Sequence, residues 1–338
     1  MIAFAAALLL AAAPPSELAT AKDALAHVAK SGARWSMTQW SSPDLAANLL
    51  GDPGIARVGV ELPRREAECL SGAAKCWLVL YLPGFDGSPD GMAPLAKVVD
   101  ELDQRGSAAP IVMVVLDGRT KLGGGWYLDS PTSGKWESLV MQVLLPAARD
   151  ALAPGTPPER TLVMGHSMGG FGALHLLAAH PESFAAAAAF NPAARIGLIA
   201  SGTLVVLDQR REFPDAEARL AQPSEAHFTQ RILLSLGAAL DPDPSKKHGL
   251  STLFEPAVEP WHLAPEALAA MERADPTSAL KAHPKLRARI YAGRKDNLVP
   301  LAQLEPLASG HVELIATDGD HLSHLAADLK DALEQLAK

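Results

Sequence analysis

Ser167 is the residue of this chain whose setting best suits a nucleophile. It stands at the centre of Gly165-His166-Ser167-Met168-Gly169, inside the stretch TLVMGHSMGGFGAL. A serine hydroxyl attacks poorly until a base takes its proton, and that base must itself be held in one orientation. A sharp strand-to-helix reversal lifts such a hydroxyl clear of a sheet, and glycines two positions either side avoid a collision of side chains. The same reversal aims the Met168 N–H, at the start of the helix, toward a developing oxyanion. By itself Gly-x-Ser-x-Gly is a weak signal, and a glycine-rich structural turn is the competing reading. The flanks make it specific. Residues 161–164 are apolar and partly β-branched, as a buried strand requires, and Ala173, Leu174, Leu176, Leu177, Ala178 and Ala179 read as a packed helix. His166 lies inside the pattern, but its side chain is expected to point away from Ser167 in a structural role.

A linker helix is expected over 17–30, and after it the elements around this turn alternate. Residues 33–40 and 56–62 read as two antiparallel strands, and 76–82 (CWLVLYL) as a third, apolar enough to be buried on both faces. A helix over 92–105, a strand over 111–116 and a helix over 136–152 precede the turn. After it, 185–190 suits a strand, although its alanines would also continue a helix. Residues 202–280 break the alternation with prolines and amphipathic pieces, which reads as a cap-like insertion without strands of its own. Strands at 288–292 and 312–316, a short helix at 300–307 and a terminal helix from Leu322 close the chain. This order predicts an α/β fold, a mostly parallel central sheet covered by helices on both faces.

In an open sheet of this kind the acid and base arrive after the serine, from loops at the C-terminal ends of later strands. The loop Gly293-Arg294-Lys295-Asp296 delivers Asp296, and Asp318-Gly319-Asp320-His321 delivers His321. Competing readings remain. Asp296 would equally cap the helix near Pro300; Asp117, Asp318 and Asp320 are rival acids; His324 is a rival base, expected about a turn inside the last helix. Trp126 and Tyr127 fit either a substrate-binding wall or a packing lid. His248, Trp261 and His262 of the insertion read as solvated loop residues. No cluster has metal-ligand spacing, so neither metal nor cofactor is expected.

On TLVMGHSMGGFGAL, YLPGFDG, GGGWYLDSP with Trp136-Glu137 after it, YAGRKD and DGDH, the chain resembles the putative-esterase (esterase D-like) family of α/β-hydrolases. The resemblance spans residues 35–335. It implies a serine carboxylic-ester or thioester hydrolase with Ser167, Asp296 and His321 as triad and the N–H groups of Phe85 and Met168 as oxyanion hole. Pro83 stands where relatives carry histidine, and Asp320 where they carry glycine. Acyl transfer to a sugar or lipid alcohol, or an inactive fold kept as a binding module, are the alternative functions; the intact Ser/Asp/His set weighs against the second.

The remaining features bear on place and partner. Residues 2–13 form an apolar run too short to span a bilayer, and Ala19-Thr20-Ala21 offers a small-x-small cleavage site, so 1–21 read as an export signal and 22–338 as the hydrolase domain. No basic residue precedes the run, which leaves a buried helix in the cytoplasm as the other reading. Cys69 and Cys76 are close enough to pair: a disulfide in an oxidising compartment, free thiols in cytosol. A net charge of −8 and the lack of a basic face exclude a nucleic-acid partner. The expected substrate is a small-molecule or cell-envelope ester.

Overall fold

The computed structural model describes residues 20–72, 76–105, 109–222, 227–254 and 260–337. The apolar run of the expected export signal lies outside them. Eight strands form one sheet: β1 (Trp35–Ser41), β2 (Ile55–Glu61), β3 (Trp77–Leu82), β4 (Ile111–Leu116), β7 (Thr161–His166), β8 (Ala186–Phe190), β9 (Ala288–Gly293) and β10 (Val312–Thr317). A two-residue hairpin, β5 (Asp129–Ser130) and β6 (Gly134–Lys135), stands apart. The sheet order is β1-β2-β4-β3-β7-β8-β9-β10; β1 and β2 are antiparallel and every pair from β4 to β10 is parallel. It is an α/β-hydrolase arrangement.

The helices are α1 (Ala21–Ser31), α2 (Pro43–Ala46), α3 (Glu66–Leu70), α4 (Ala93–Arg105), α5 (Trp136–Ser138), α6 (Leu145–Leu152) and α7 (Met168–Ala179). They continue as α8 (Ile196–Arg210), α9 (Ala216–Ala221), α10 (Phe228–Leu240), α11 (Pro265–Ala274), α12 (Thr277–Ala282), α13 (Leu301–Leu304) and α14 (Leu325–Leu336). Alternation along the strands divides the core. Trp77, Val79 and Tyr81 of β3 pack with α4 and α14, while Leu78, Leu80 and Leu82 pack with α1, α6 and α7. The alanines at 186–189 do form a strand, between β7 and β9. Their small side chains let α7 and α14 approach the sheet from its two sides.

Three elements differ from expectation. The helix expected over 17–30 is α1, capped by the Thr20 hydroxyl and buried through Leu25 and Val28 against α6, so it belongs to the core rather than linking to it. The segment between β8 and β9 is helical from Ile196, where α8 begins, earlier than the expected 202; α10 and α11 pack on α8. The last helix starts at Leu325, not Leu322, because Asp320 and Ser323 form a turn of their own first.

Cys69 and Cys76 are joined by a disulfide that ties α3 to the entry of β3, and both are buried. Among the described residues no helix is long and apolar enough to cross a membrane. Closing so short a loop restricts the unfolded chain and contributes about 2.5 kcal/mol in the chain-entropy estimate. Urea unfolding of the Cys69→Ser/Cys76→Ser double variant should show a loss of this size, with little change in the slope against denaturant.

Candidate active site

β7 ends at His166, α7 begins at Met168, and Ser167 between them has φ 55° and ψ −116°, a strained conformation for a side chain with a Cβ. Three main-chain hydrogen bonds hold it there: Ser167 N–H to the Phe190 carbonyl at 2.9 Å, and Phe171 and Ala193 N–H to the Ser167 carbonyl at 3.0 and 2.9 Å. The glycines are needed for space. A Cβ on Gly165 would stand 2.2 Å from the Gly169 carbonyl oxygen, and one on Gly169 would stand 1.8 Å from that of Leu82.

The loops after β9 and β10 bring Asp296 and His321 together. His321 Nδ1 and Asp296 Oδ2 are 2.6 Å apart, and the Asp296 side chain is fully buried. Its other oxygen, Oδ1, accepts the Leu298 and Val299 N–H groups at 2.8 and 2.9 Å. Asp296 therefore shapes its own turn and holds the histidine at once, but it does not cap α13, which starts at Leu301 with Pro300 before it. Burial pushes its carboxyl pKa up, but the His321 hydrogen bond and the two N–H groups outweigh this and leave it below the ordinary value.

The His321 backbone is tied down as firmly. Its carbonyl accepts from His166 Nε2 at 2.8 Å and from the Asn191 amide at 3.0 Å. The Asn191 Oδ1 accepts the Gly293 N–H at 2.7 Å, so one side chain links the ends of β8, β9 and the His321 loop. Asn191 has φ 43°, a left-handed conformation that asparagine tolerates best among side chains with a Cβ. The rings of His166 and His321 lie 4.7 Å apart. His166 is thus a structural part of the site, turned toward the histidine loop. Burial, then the neighbouring His321, lower its pKa from 6.5 to about 4, so near neutrality it is an uncharged donor. Ser167 and His321 make no hydrogen bond with each other among the described contacts; such bonds often tighten only once substrate is bound.

The rival residues have other partners. Asp117 is paired bidentately with Arg119 at 2.8 and 2.6 Å, and Asp318 pairs with Lys295 at 3.2 Å. Asp320 accepts the Leu322 and Ser323 N–H groups, both at 3.0 Å, and faces its own turn. His324 is exposed just before α14, against Gly319, and not a turn inside the helix.

Phe85 follows Gly84, whose missing Cβ would lie 3.3 Å from the Ser167 Cβ. No backbone carbonyl among the described residues accepts from the Phe85 or Met168 N–H. Gly123 and Gly124 press on the Phe85 ring and the Met168 side chain, where any Cβ would clash at 2.2 Å. Trp126 and Tyr127 are buried rather than exposed to a ligand. The indole of Trp126 donates to Ser235 at 2.9 Å, and the Tyr127 hydroxyl donates to the Pro83 carbonyl at 2.8 Å. Their burial matches the packing reading: Tyr127 braces the root of the loop that carries Phe85, and Trp126 ties its own loop to α10. Glu137 accepts from His175 and His180 at 2.8 and 2.7 Å, and Trp261 packs with Phe213 and Phe254 instead of being solvated. His248 lies near Glu217 and His262 is exposed. Among the described residues no cluster of three or more His, Cys, Asp or Glu would hold a metal ion.

A cleft of about 660 Å³ opens beside the Phe85 loop, lined by Arg57, Asp86, Asp117, Arg119, Lys121 and Arg231 among others. Asn191 and Arg231 are the residues that sequence reasoning missed. The Asn191-Pro192 pair closing a strand was the only signal for the first.

A glycine-flanked serine at a strand-to-helix reversal, with a histidine and a buried carboxylate on later loops of a parallel sheet, is the arrangement of the α/β-hydrolase fold. Residues 56–294 match the Putative esterase family, and the chain belongs to it and is an ester hydrolase. Solved structures agree in fold. A ferulic acid esterase superposes with a TM-score of 0.55 at 16% identity, covering 90% of this chain and 96% of its own. An S-formylglutathione hydrolase from Agrobacterium tumefaciens gives 0.55 at 18%, covering 90% and 95%. The fluorophosphonate-binding serine hydrolase F of Staphylococcus aureus gives 0.56 at 11%, covering 90% and 98%. No curated protein matches the sequence.

Because burial depresses its pKa, the unfolded chain protonates His166 first. Its contribution to stability is complete above about pH 6.5 and is lost as pH falls toward about 4. In a ¹⁵N-histidine NMR titration of the folded protein, the His166 signals should keep their neutral-ring shifts down to pH 5. A midpoint near 6.5 would contradict the buried, uncharged role.

Proposed function

We propose that the chain hydrolyses carboxylic esters or thioesters through an acyl-serine intermediate, with Ser167 as nucleophile, His321 as base and Asp296 as its orienting acid. The observation that carries this reading is the 2.6 Å contact between His321 Nδ1 and the buried Asp296 carboxylate. With Nδ1–H donated to Asp296, the lone pair of Nε2 is left to accept the serine proton. Ser167 Oγ bonds to the acyl carbon, its proton passes to Nε2, and the carbonyl oxygen takes the negative charge. The Phe85 and Met168 N–H groups are the donors that meet this charge. As the C–O or C–S bond breaks, His321 returns the proton to the leaving alcohol or thiol. Water then repeats the sequence against the acyl-serine and releases the acid.

The buried disulfide and the apolar run ahead of α1 support export to an oxidising compartment as the place of action. Cleavage before Lys22 would remove the Thr20 cap but leave Leu25 and Val28 to hold α1 in the core. The hydrolase domain then comprises 22–338, with the helices between β8 and β9 as its cap. Mass spectrometry of the protein from its native cell fraction should find a mature end near Lys22; an intact apolar run together with alkylatable thiols at Cys69 and Cys76 would place the enzyme in the cytoplasm.

Activity on short aryl esters tests the chemistry. Ser167→Ala should lower turnover by on the order of a million-fold while circular dichroism and thermal midpoint stay close to wild type. His321→Ala should cost several orders of magnitude with little change in KM, and His324→Ala far less. A folded Ser167→Ala protein that keeps its rate would end this reading.

A further inference from the structure

Hydrolysis through an acyl-serine needs the Phe85 N–H aimed at one point, yet the loop that carries it has little regular structure. Asp86 is in the left-handed region at φ 59°, and the turn is closed by Gly87 N–H to the Gly84 carbonyl at 2.9 Å and by Asp86 N–H to the Gly123 carbonyl at 3.0 Å. We propose that Arg231, on α10 of the helical insertion, is a positioning residue for the oxyanion hole, gripping this loop by the Asp86 carboxylate and the Phe85 ring. Such a role rests on the acyl-serine mechanism proposed above, whose tetrahedral oxyanion is the charge the Phe85 N–H meets.

The geometry is that of a clamp. Arg231 Nη1 donates to Asp86 Oδ1 at 2.8 Å and its Nη2 donates to Oδ2, a bidentate pair with two directions fixed. The guanidinium carbon lies 5.4 Å from the Phe85 ring centroid. Phe228, one turn earlier on α10, meets the same ring edge-on, with centroids 5.5 Å apart at 90°. Gly123 closes the remaining side, where a Cβ would clash with the ring at 2.2 Å. Phe85, partly exposed, is therefore held by two α10 side chains and a glycine. The Asp86 pair adds a side-chain restraint to the two main-chain hydrogen bonds of its turn.

The burial argues that the pair serves geometry rather than stability. The Arg231 side chain is 5% exposed, while its partner Asp86 keeps 39%. A buried guanidinium is costly to desolvate, and an apolar residue would fill the same space against α10 at lower cost. What an apolar residue lacks is the planar fork that fixes a carboxylate in direction. Arg231 also lines the cleft, so a direct contact with substrate is the rival explanation, and the two roles differ in their kinetics. Contact with substrate would raise KM, and only for esters that reach into the cleft. Positioning of the N–H lowers kcat for every ester, including a small aryl acetate, since misplacing a catalytic group by about 1 Å costs up to about a hundred-fold.

The test is steady-state kinetics on an aryl acetate and on a bulkier polar ester, with wild type and Ser167→Ala as references and thermal midpoints for all variants. Arg231→Lys and Asp86→Asn should each lower kcat about 10- to 100-fold on both esters with KM nearly unchanged. The double variant should be no worse than about threefold below either single one, because both break the same pair. Affinity for a boronic acid that mimics the tetrahedral oxyanion should fall by the same factor as kcat. Guanidinium ion at tens of millimolar should restore at least part of the kcat of Arg231→Ala, a rescue that a merely unfolded insertion cannot show. Unchanged kcat with raised KM, an Asp86→Asn enzyme of full activity, or additive losses without rescue would each overturn the proposal while leaving the serine mechanism intact. A wild type inert on all esters would overturn the mechanism and this inference together.

Discussion

The crossing of two main chains at Ser167 is the constraint on which the rest of the candidate site depends. Gly169 of α7 passes so near the Leu82 carbonyl that a single added carbon would stand 1.8 Å from it. That approach sets how far the helix can lean back over β3. It thereby sets how far the Met168 N–H stands from the loop leaving β3, which carries Phe85. A larger residue at 165 or 169 would separate the helix from the strand and move the Met168 N–H away from the Phe85 loop, quite apart from any direct effect on Ser167. The strained backbone of Ser167 is the local cost of this geometry, and the hydrogen bonds to Phe190, Phe171 and Ala193 sustain it.

His321 is held by a second device, built on its backbone carbonyl. The ring of His321 is fixed at one end by Asp296, and its peptide is fixed at the other by His166 and Asn191. An uncharged His166 suits this position, because a cation 4.7 Å from His321 would oppose any positive charge on that ring. Burial keeps it neutral, so packing and electrostatics act in the same direction. The turn built by Asp320 and Ser323 then releases the chain into α14 without disturbing the histidine. An aspartate in place of glycine before His321 is accommodated because its carboxylate caps that turn.

The helical insertion is joined to the site rather than merely standing beside it. Ser235 of α10 receives the Trp126 indole proton, and the Ala238 carbonyl receives that of the Ser130 hydroxyl. Trp126 and Tyr127 have φ values of 57° and 56°, two successive left-handed residues whose side chains must both find partners inside the protein. Tyr127 reaches the Pro83 carbonyl at the root of the Phe85 loop. The glycine-rich stretch thus links α10 to that loop through buried polar contacts, which specify direction as apolar packing cannot.

The order of elements, the serine, and the acid and base candidates were legible in the sequence because each is local. Strand, glycine and helix periodicity lie within a few residues, and Asp296 and His321 each end a recognisable strand. The alanine strand β8 was ambiguous by composition, and only its place between β7 and β9 decided it. The choices between Asp296 and its rivals, and between His321 and His324, depended on hydrogen bonds made across the sheet edge. So did the discovery of Asn191 and Arg231, whose partners lie about 100 residues or more away in sequence, at Gly293, His321 and Asp86. The sequence by itself determined which residues could do the chemistry, since residue type and local spacing suffice for that. Only the tertiary structure decided which of them meet and what holds them, because a hydrogen bond of 2.6 Å between two loops has no trace in the spacing of either.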